Sequence, residues 1–208
     1  SFLKMLSKYD GIRLTNIHRQ KEDSNIIANA NRIVLGGMPI RKPDFSIQMT
    51  SEPVETVQGF VQDCLANEID YGIIENQMIT PTKVGWVGTE ALNGCIQNLL
   101  HPTSKPYTEV ERHKWNDQDY IRMYEGDKII YTSNNYPLEV FNGETGVIKS
   151  LNADASITVD LGDRELDIPV SLEMEGRGGM YYMNPQKDLD LAYVITTHKA
   201  QGSEYNRV

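Results

Sequence analysis

Apolar residues recur at two different spacings along this chain, and the change from one to the other divides it. Gly11-Ile-Arg-Leu-Thr-Asn-Ile17 alternates imperfectly and runs into His18, Arg19 and Gln20, which predicts a strand with a polar exit. Asp23 or Ser24 then caps a helix whose face is Ile26, Ile27, Ala30, Ile33 and Val34, and Gly36-Gly37 stops it. A short strand is expected at Phe45–Met49. Ser51, with Pro53 at an early helical position, opens a second helix striped by Val54, Val57, Val61, Cys64 and Leu65. Gln77–Thr80 reads as another strand, followed by a loop with Pro81, Lys83, Gly85 and Gly88. A helix carrying Leu92, Ile96, Leu99 and Leu100 then runs to His101-Pro102. Strands alternating with helices predict an α/β fold built on a parallel sheet.

From about residue 121 to 183 the helical period vanishes. Short β runs replace it at Asp127–Thr132, Gly146–Leu151, Ser156–Leu161 and Glu165–Pro169, with turns at Asn142-Gly143, Asn152-Ala-Asp154 and Gly162-Asp163. This texture predicts a small β-barrel inserted into the α/β domain. The apolar run Leu189–Thr196 is then expected to rejoin the parallel sheet. The domain reading is 1–118 for the first part of the α/β domain, 119–184 for the insertion and 185–208 for its resumption.

Composition narrows the class. With 39% hydrophobic and 24% charged residues the chain is globular rather than disordered, and no apolar run reaches the ~20 residues that cross a bilayer. Two cysteines on apolar helical faces, Cys64 and Cys95, suit reduced thiols of a cytoplasmic protein, and no signal peptide is seen. A net charge of −9 argues against a surface that is wholly a nucleic-acid footprint, though not against a local groove. The ends at Ser1 and Val208 read as cuts through a longer polypeptide.

The candidate chemistry gathers near the carboxyl end. Leu191-Ala-Tyr-Val-Ile-Thr-Thr-His-Lys-Ala-Gln-Gly-Ser-Glu204 is a strand delivering Thr197, His198, Lys199, Gln201, Gly202 and Glu204 to a sheet edge. In α/β proteins that edge is where ligands sit. Arg19, just beyond a strand, can meet phosphate oxygens, although alone it reads better as a solvated loop residue. Asn142, with Tyr136 and Phe141, sits in a turn region where exposed aromatics can stack bases, but such residues more often belong to hairpins. No GxxxxGK[ST] loop occurs, so the chain is no self-sufficient P-loop NTPase. The histidines are scattered, the cysteines isolated, and Asp160, Asp163 and Asp167 lie around a turn, so no metal site is expected.

Taken together, four segments resemble the C-terminal motor region of RecD-like superfamily 1 DNA helicases, the family of the exodeoxyribonuclease V alpha subunit. They are Leu14–Gln20 with Gly36-Gly-Met-Pro39, Gln77–Gly85 with Leu92-Asn93 and Gln97, Gly126-Asp127 through Asn142–Gly146, and Ala192–Glu204. The last looks like helicase motif V and the first like motif IV. The resemblance implies a second RecA-like domain interrupted by an SH3-like β-barrel. It implies ATP with Mg²⁺ bound in a cleft shared with an N-terminal RecA-like domain, which would supply the phosphate loop and the metal-binding acid. On it, Arg19 would approach the γ-phosphate, with Gln20 beside it, and Gly202 and Glu204 would lie on the nucleotide side. Thr197, His198, Lys199, Gln201 and Asn142 would face single-stranded DNA. Family polarity would be 5′ to 3′, with recombination or nuclease subunits as further partners and no membrane. The fragment by itself would be inactive as an ATPase. A non-enzymatic binding module is the alternative, and a nuclease ranks last for want of an acidic metal cluster.

Overall fold

The computed structural model describes residues 25–69, 76–101, 104–112, 119–176 and 179–208. The strand expected over 11–17, the caps Asp23 and Ser24, and Arg19 and Gln20 lie outside them. The chain divides into two compact units, Ser1–Ser51 and Glu52–Val208.

In the first unit, helix α1 (Asn25–Val34) forms where its apolar period predicts. A residue from a later loop holds its first turn: the Asp44 carboxylate accepts from the Asn25 backbone N–H at 3.0 Å and from the Asn25 side-chain amide at 2.6 Å. Buried Asn29 ties the helix to the chain beyond it, accepting from the Ile40 N–H and donating to the Ile40 carbonyl. The strand expected at Phe45–Met49 does not form. Lys42 and Phe45 instead bridge across a turn at Pro43-Asp44, and the following Ser-Ile-Gln-Met continues without a pairing partner among the described residues.

The second unit opens with α2 (Pro53–Ala66), whose N-cap is Glu52 rather than the expected Ser51, with Pro53 at the first position. Val61 and Cys64 are buried and Leu65 is exposed, so the stripe is narrower than its sequence pattern. Strand β1 (Met78–Thr80) leads through an eight-residue loop into α3 (Thr89–Leu100), which buries Leu92 and Ile96 together with two amides, Asn93 and Gln97.

Strands β2 (Thr108–Arg112) and β3 (Asp119–Met123) form a hairpin that the sequence reading left unassigned. Beyond it the β texture appears as expected: β4 (Lys128–Tyr131), β5 (Thr145–Leu151), β6 (Ile157–Asp160) and β7 (Glu165–Ile168) are successive antiparallel neighbours. A separate hairpin pairs β8 (Leu172–Gly176) with β9 (Gly179–Met183). The pairings give an open five-stranded order and two hairpins. No pairing among the described residues joins the outer strands into a barrel. Ile129, Tyr131, Ile148, Ile157, Val159 and Ile168 fill the core of this region.

The run 189–196 is where sequence and structure part most usefully. Expected as one strand, it is two. Strand β10 (Leu189–Leu191) pairs antiparallel with β4, at the edge of the five-stranded sheet, and β11 (Val194–Thr196) pairs parallel with β1. Ala192 and Tyr193 lie between, fully buried, where strand pairing alone would leave carbonyls without donors. Two side-chain amides supply the donors. Gln77 Nε2 reaches the Ala192 and Tyr193 carbonyls at 3.0 and 3.1 Å. Asn93 donates to the Leu191 and Val194 carbonyls at 3.1 and 2.9 Å and accepts from the Val194 N–H at 2.8 Å.

Candidate functional site

Strands β1 and β11 run parallel in register, Met78 beside Val194 and Thr80 beside Thr196, so they end side by side. Their following loops, 81–88 and 197–204, therefore leave the same sheet edge. Thr196 caps a single helical turn, α4 (Thr197–Ala200), by accepting from the Lys199 N–H. Thr197 Oγ1 donates to the Thr80 carbonyl at 3.4 Å and stitches the second loop to the first strand. Ala200 and Tyr205 pack against the buried cluster of Ile130, Ala192 and Ile195, anchoring both ends of the loop, and its chain returns to bridge Asn76 at Arg207.

Between those anchors the polar groups face outward. Thr197, His198, Gln201, Gly202, Ser203 and Glu204 are exposed, as a ligand loop requires. Gly202 has φ +91°, a left-handed turn that favours glycine, and open space stands where a side chain would begin. Lys199 differs from its neighbours. Its Nζ is buried from solvent yet has no hydrogen-bond partner, an expensive state for an ammonium. Burial depresses its pKa below the ordinary lysine value; Asp190 opposes this and Lys83, on the adjacent loop, reinforces it.

The remaining expected residues are not gathered here. Asn142 is exposed on the turn between β4 and β5, its backbone N–H held by the Asn134 side chain at 2.9 Å. That turn follows Tyr131, which pairs with Leu189, so it lies by the start of the 189–196 run whereas the 197–204 loop leaves its end. Nearby, Tyr136 and Phe141 meet edge to face with centroids 6.2 Å apart. Arg19 and Gln20 fall outside the described residues.

Around the C-terminal end of α3 lies a buried polar hub, in which Gln97 and Asp127, quoted above for the resemblance, meet partners that the sequence reading did not connect with them. Asp127, fully buried, accepts on one oxygen from Gln97 Nε2 at 2.6 Å and the Tyr124 N–H at 2.8 Å. Its other oxygen accepts from the Tyr193 hydroxyl at 2.8 Å and lies 2.8 Å from His101 Nε2. His101 Nδ1 sits 3.0 Å from the Lys105 ammonium, which donates, so the proton belongs on Nε2 and the ring is neutral. Burial lowers the His101 pKa, Asp127 opposes the shift, and Lys105 reinforces it. The unfolded chain therefore takes up a proton first as pH falls. The stability held by neutral His101 is complete above the ordinary histidine range near ~6.5 and is lost as pH drops below it. Urea unfolding should show a steeper loss from about pH 7 to about pH 5.5 for the wild type than for His101→Gln, which keeps a donor toward Asp127. Equal slopes would remove His101 from the pH response.

No family model matches the chain. Among curated proteins it is 27% identical over 202 residues to the ATP-dependent RecD2 DNA helicase of Deinococcus radiodurans, covering 95% of this chain and 24% of that protein. It is also 27% identical over 139 residues to the RecBCD enzyme subunit RecD of Buchnera aphidicola subsp. Schizaphis graminum, covering 64% of this chain and 19% of that subunit. Over most of its length the chain is thus similar to RecD-like helicases. It spans about a quarter or less of the length of these RecD-like proteins. Solved structures agree on the fold. The Pif1 helicase from Bacteroides in complex with ADP-AlF3 and ssDNA matches with a TM-score of 0.53 at 20% identity, over 94% of this chain and 44% of that one. Bacteroides Pif1 bound to ssDNA matches with a TM-score of 0.52 at 17% identity, over 96% and 49%. The chain thus shares its fold with the matched parts of these Pif1 structures. Among the described residues no helix is long and apolar enough to cross a membrane.

Proposed function

We propose that this chain is the second motor half of a RecD-like ATP-dependent DNA helicase and that it grips single-stranded DNA along the edge where β1 and β11 end. One observation carries the reading: a buried ammonium, Lys199, has no partner of its own on a loop whose other polar residues face solvent. A lysine held this way is costly to the fold and useful to a phosphate. Thr197, His198 and Gln201 would add hydrogen bonds to the backbone of the strand, contacts that position without choosing sequence.

The finer assignments follow the family resemblance. Residues 1–118 and 185–208 would form the RecA-like domain and 119–184 an SH3-like insertion. An N-terminal RecA-like domain of the same polypeptide would complete the motor, moving 5′ to 3′. Gly202 and Glu204 suit only one end of ATP: the open left-handed turn leaves room for a sugar, and an exposed carboxylate accepts from hydroxyls but repels phosphate. The triphosphate then requires cations from elsewhere, Arg19 among them, and its Mg²⁺ would take its protein ligand from the N-terminal domain. ATP, when bound, supplies the driving free energy; this chain's part is to hold the sugar end and keep the DNA-facing loop on the same short segment. Cleft closure that moves Gly202 and Glu204 must carry Thr197–Lys199 with them.

The chain itself tests the reading. Titrated against fluorescently labelled oligothymidylate, it should bind with an affinity that falls steeply between about 50 and about 200 mM salt. Lys199→Met should reduce the magnitude of the salt slope by about 0.7. The same substitution should leave urea stability equal to or above that of the wild type, because it removes a charge that burial disfavours. Salt-independent or absent binding would leave a protein-binding module as the better description.

A further inference from the structure

The loop between β1 and α3 contains a residue that neither the resemblance nor the proposed contacts account for. Trp86 is 68% exposed at its tip, and Val84 beside it is 71% exposed. Exposure does not come from slackness. Thr80 Oγ1 donates to the Val87 carbonyl at 2.7 Å, the Gly88 N–H to the Gly85 carbonyl at 3.0 Å and the Thr89 N–H to the Thr82 carbonyl at 3.2 Å. Gly88 lets the loop close on itself, since a Cβ there would lie 2.5 Å from the Lys83 carbonyl oxygen and 2.7 Å from the Val84 carbonyl carbon. A braced loop thus presents the largest apolar side chain to solvent, where burial would ordinarily be favoured.

The surroundings decide what covers it. Thr80, at the foot of this loop, pairs with Thr196 at the foot of the 197–204 loop, and Lys83 is near enough to disfavour the charge on Lys199. An apolar protein surface docked on Trp86 would desolvate the exposed Lys83 ammonium without supplying a counter-charge. A single strand of nucleic acid offers a ring to the indole and a phosphate to each lysine.

We propose that Trp86 is a base-stacking residue, its ring taking one base of single-stranded DNA while Lys83 and Lys199 take the flanking phosphates. This deepens the DNA-binding reading of the 197–204 loop and rests on it. Stacking, unlike phosphate contact, would let the edge hold a strand by its bases and so distinguish a bare sugar–phosphate chain from DNA.

The chain has two tryptophans, so Trp115→Phe leaves Trp86 as the sole reporter. Oligothymidylate should quench its fluorescence saturably. Trp86→Ala should weaken oligothymidylate binding about ten-fold and Trp86→Phe by less than about three-fold, the scale of one base–aromatic stack. An abasic strand of equal length should bind wild type and Trp86→Ala alike. Unquenched Trp86 in a saturated complex, or equal oligothymidylate affinity for Trp86→Ala and wild type, would overturn stacking while leaving the DNA-binding loop intact. Absence of salt-dependent binding by the wild type would overturn both.

Discussion

Asp127→Asn should lower folding stability by on the order of 3 kcal/mol, a larger loss than its near-identical shape suggests. Each carboxylate oxygen is fully used. One accepts from Gln97 and the Tyr124 N–H, the other from Tyr193, with His101 Nε2 at equal distance. An asparagine must turn one of those oxygens into an NH2, which in one orientation faces the Gln97 and Tyr124 donors and in the other forces the Tyr193 hydroxyl to reverse and His101 to give up its Nε2 proton. Relaxation is blocked because the four partners come from α3, from the turn before β4, and from the Ala192-Tyr193 break between β10 and β11. Urea denaturation followed by far-UV circular dichroism measures the loss. Stability within ~0.5 kcal/mol of wild type would mean the hub tolerates an inverted dipole and that the four bonds are not its source of strength.

The hub also shows why only part of this fold could be read in advance. Helices α2 and α3 were legible because burial of one face imposes a 3.6-residue period on apolar positions, and Val61 and Ile96 keep it, whereas α1 forms on its period with Ile26, Ile33 and Val34 exposed. Strands β4 to β7 were legible from β runs between turn residues. The division of 189–196 was not. An unbroken apolar run looks like one strand, and what splits it is a pair of amides, Gln77 and Asn93, more than 95 residues away in sequence. The β2–β3 hairpin was missed because Thr-Glu-Val-Glu-Arg buries only Val110 deeply and reads as a solvated segment. Phe45–Met49 failed the other way, since its alternation carries no information about whether a neighbouring strand is there to pair with.

The candidate site divides along the same line. A strand exit crowded with Thr, His, Lys and Gln announces a ligand loop by residue type alone, and the structure puts that loop exposed at the edge where β11 ends. Trp86 had a signal that was passed over: a tryptophan in a loop between Gly85 and Gly88, where no apolar period explains it. Lys199 was named by its place in the strand exit, but its burial had no signal, because the cost of burying an ammonium depends on Asp190 and Lys83, which only the fold brings near. The break at Ala192-Tyr193 gives this loop a mechanical setting. Its strand hangs from the five-stranded sheet through β10 and from the parallel pair through β11, so a force on this loop reaches both sheets through one buried, amide-locked turn.

In the proposed reading the largest single effect belongs to Arg19. Placed in the polypeptide that carries the phosphate-loop domain, Arg19→Ala should lower DNA-stimulated ATP hydrolysis on the order of 10³-fold. Oligothymidylate affinity without nucleotide should change by less than about two-fold, because a residue serving the nucleotide contributes little to the ground-state grip on the strand. The physical reason is the charge that grows on the transferring phosphoryl group, which a guanidinium supplied across a cleft stabilises only when the cleft is shut. Arg19→Lys should recover little, since a point charge cannot reproduce the planar fork. Turnover and DNA affinity therefore separate the two halves of the proposal. Lys199→Met should weaken DNA binding and lose turnover only through it, regaining rate at saturating DNA, whereas Arg19→Ala should stay slow however much DNA is present. Full turnover in Arg19→Ala would take that arginine out of the motor and leave the 197–204 loop as this chain's contribution.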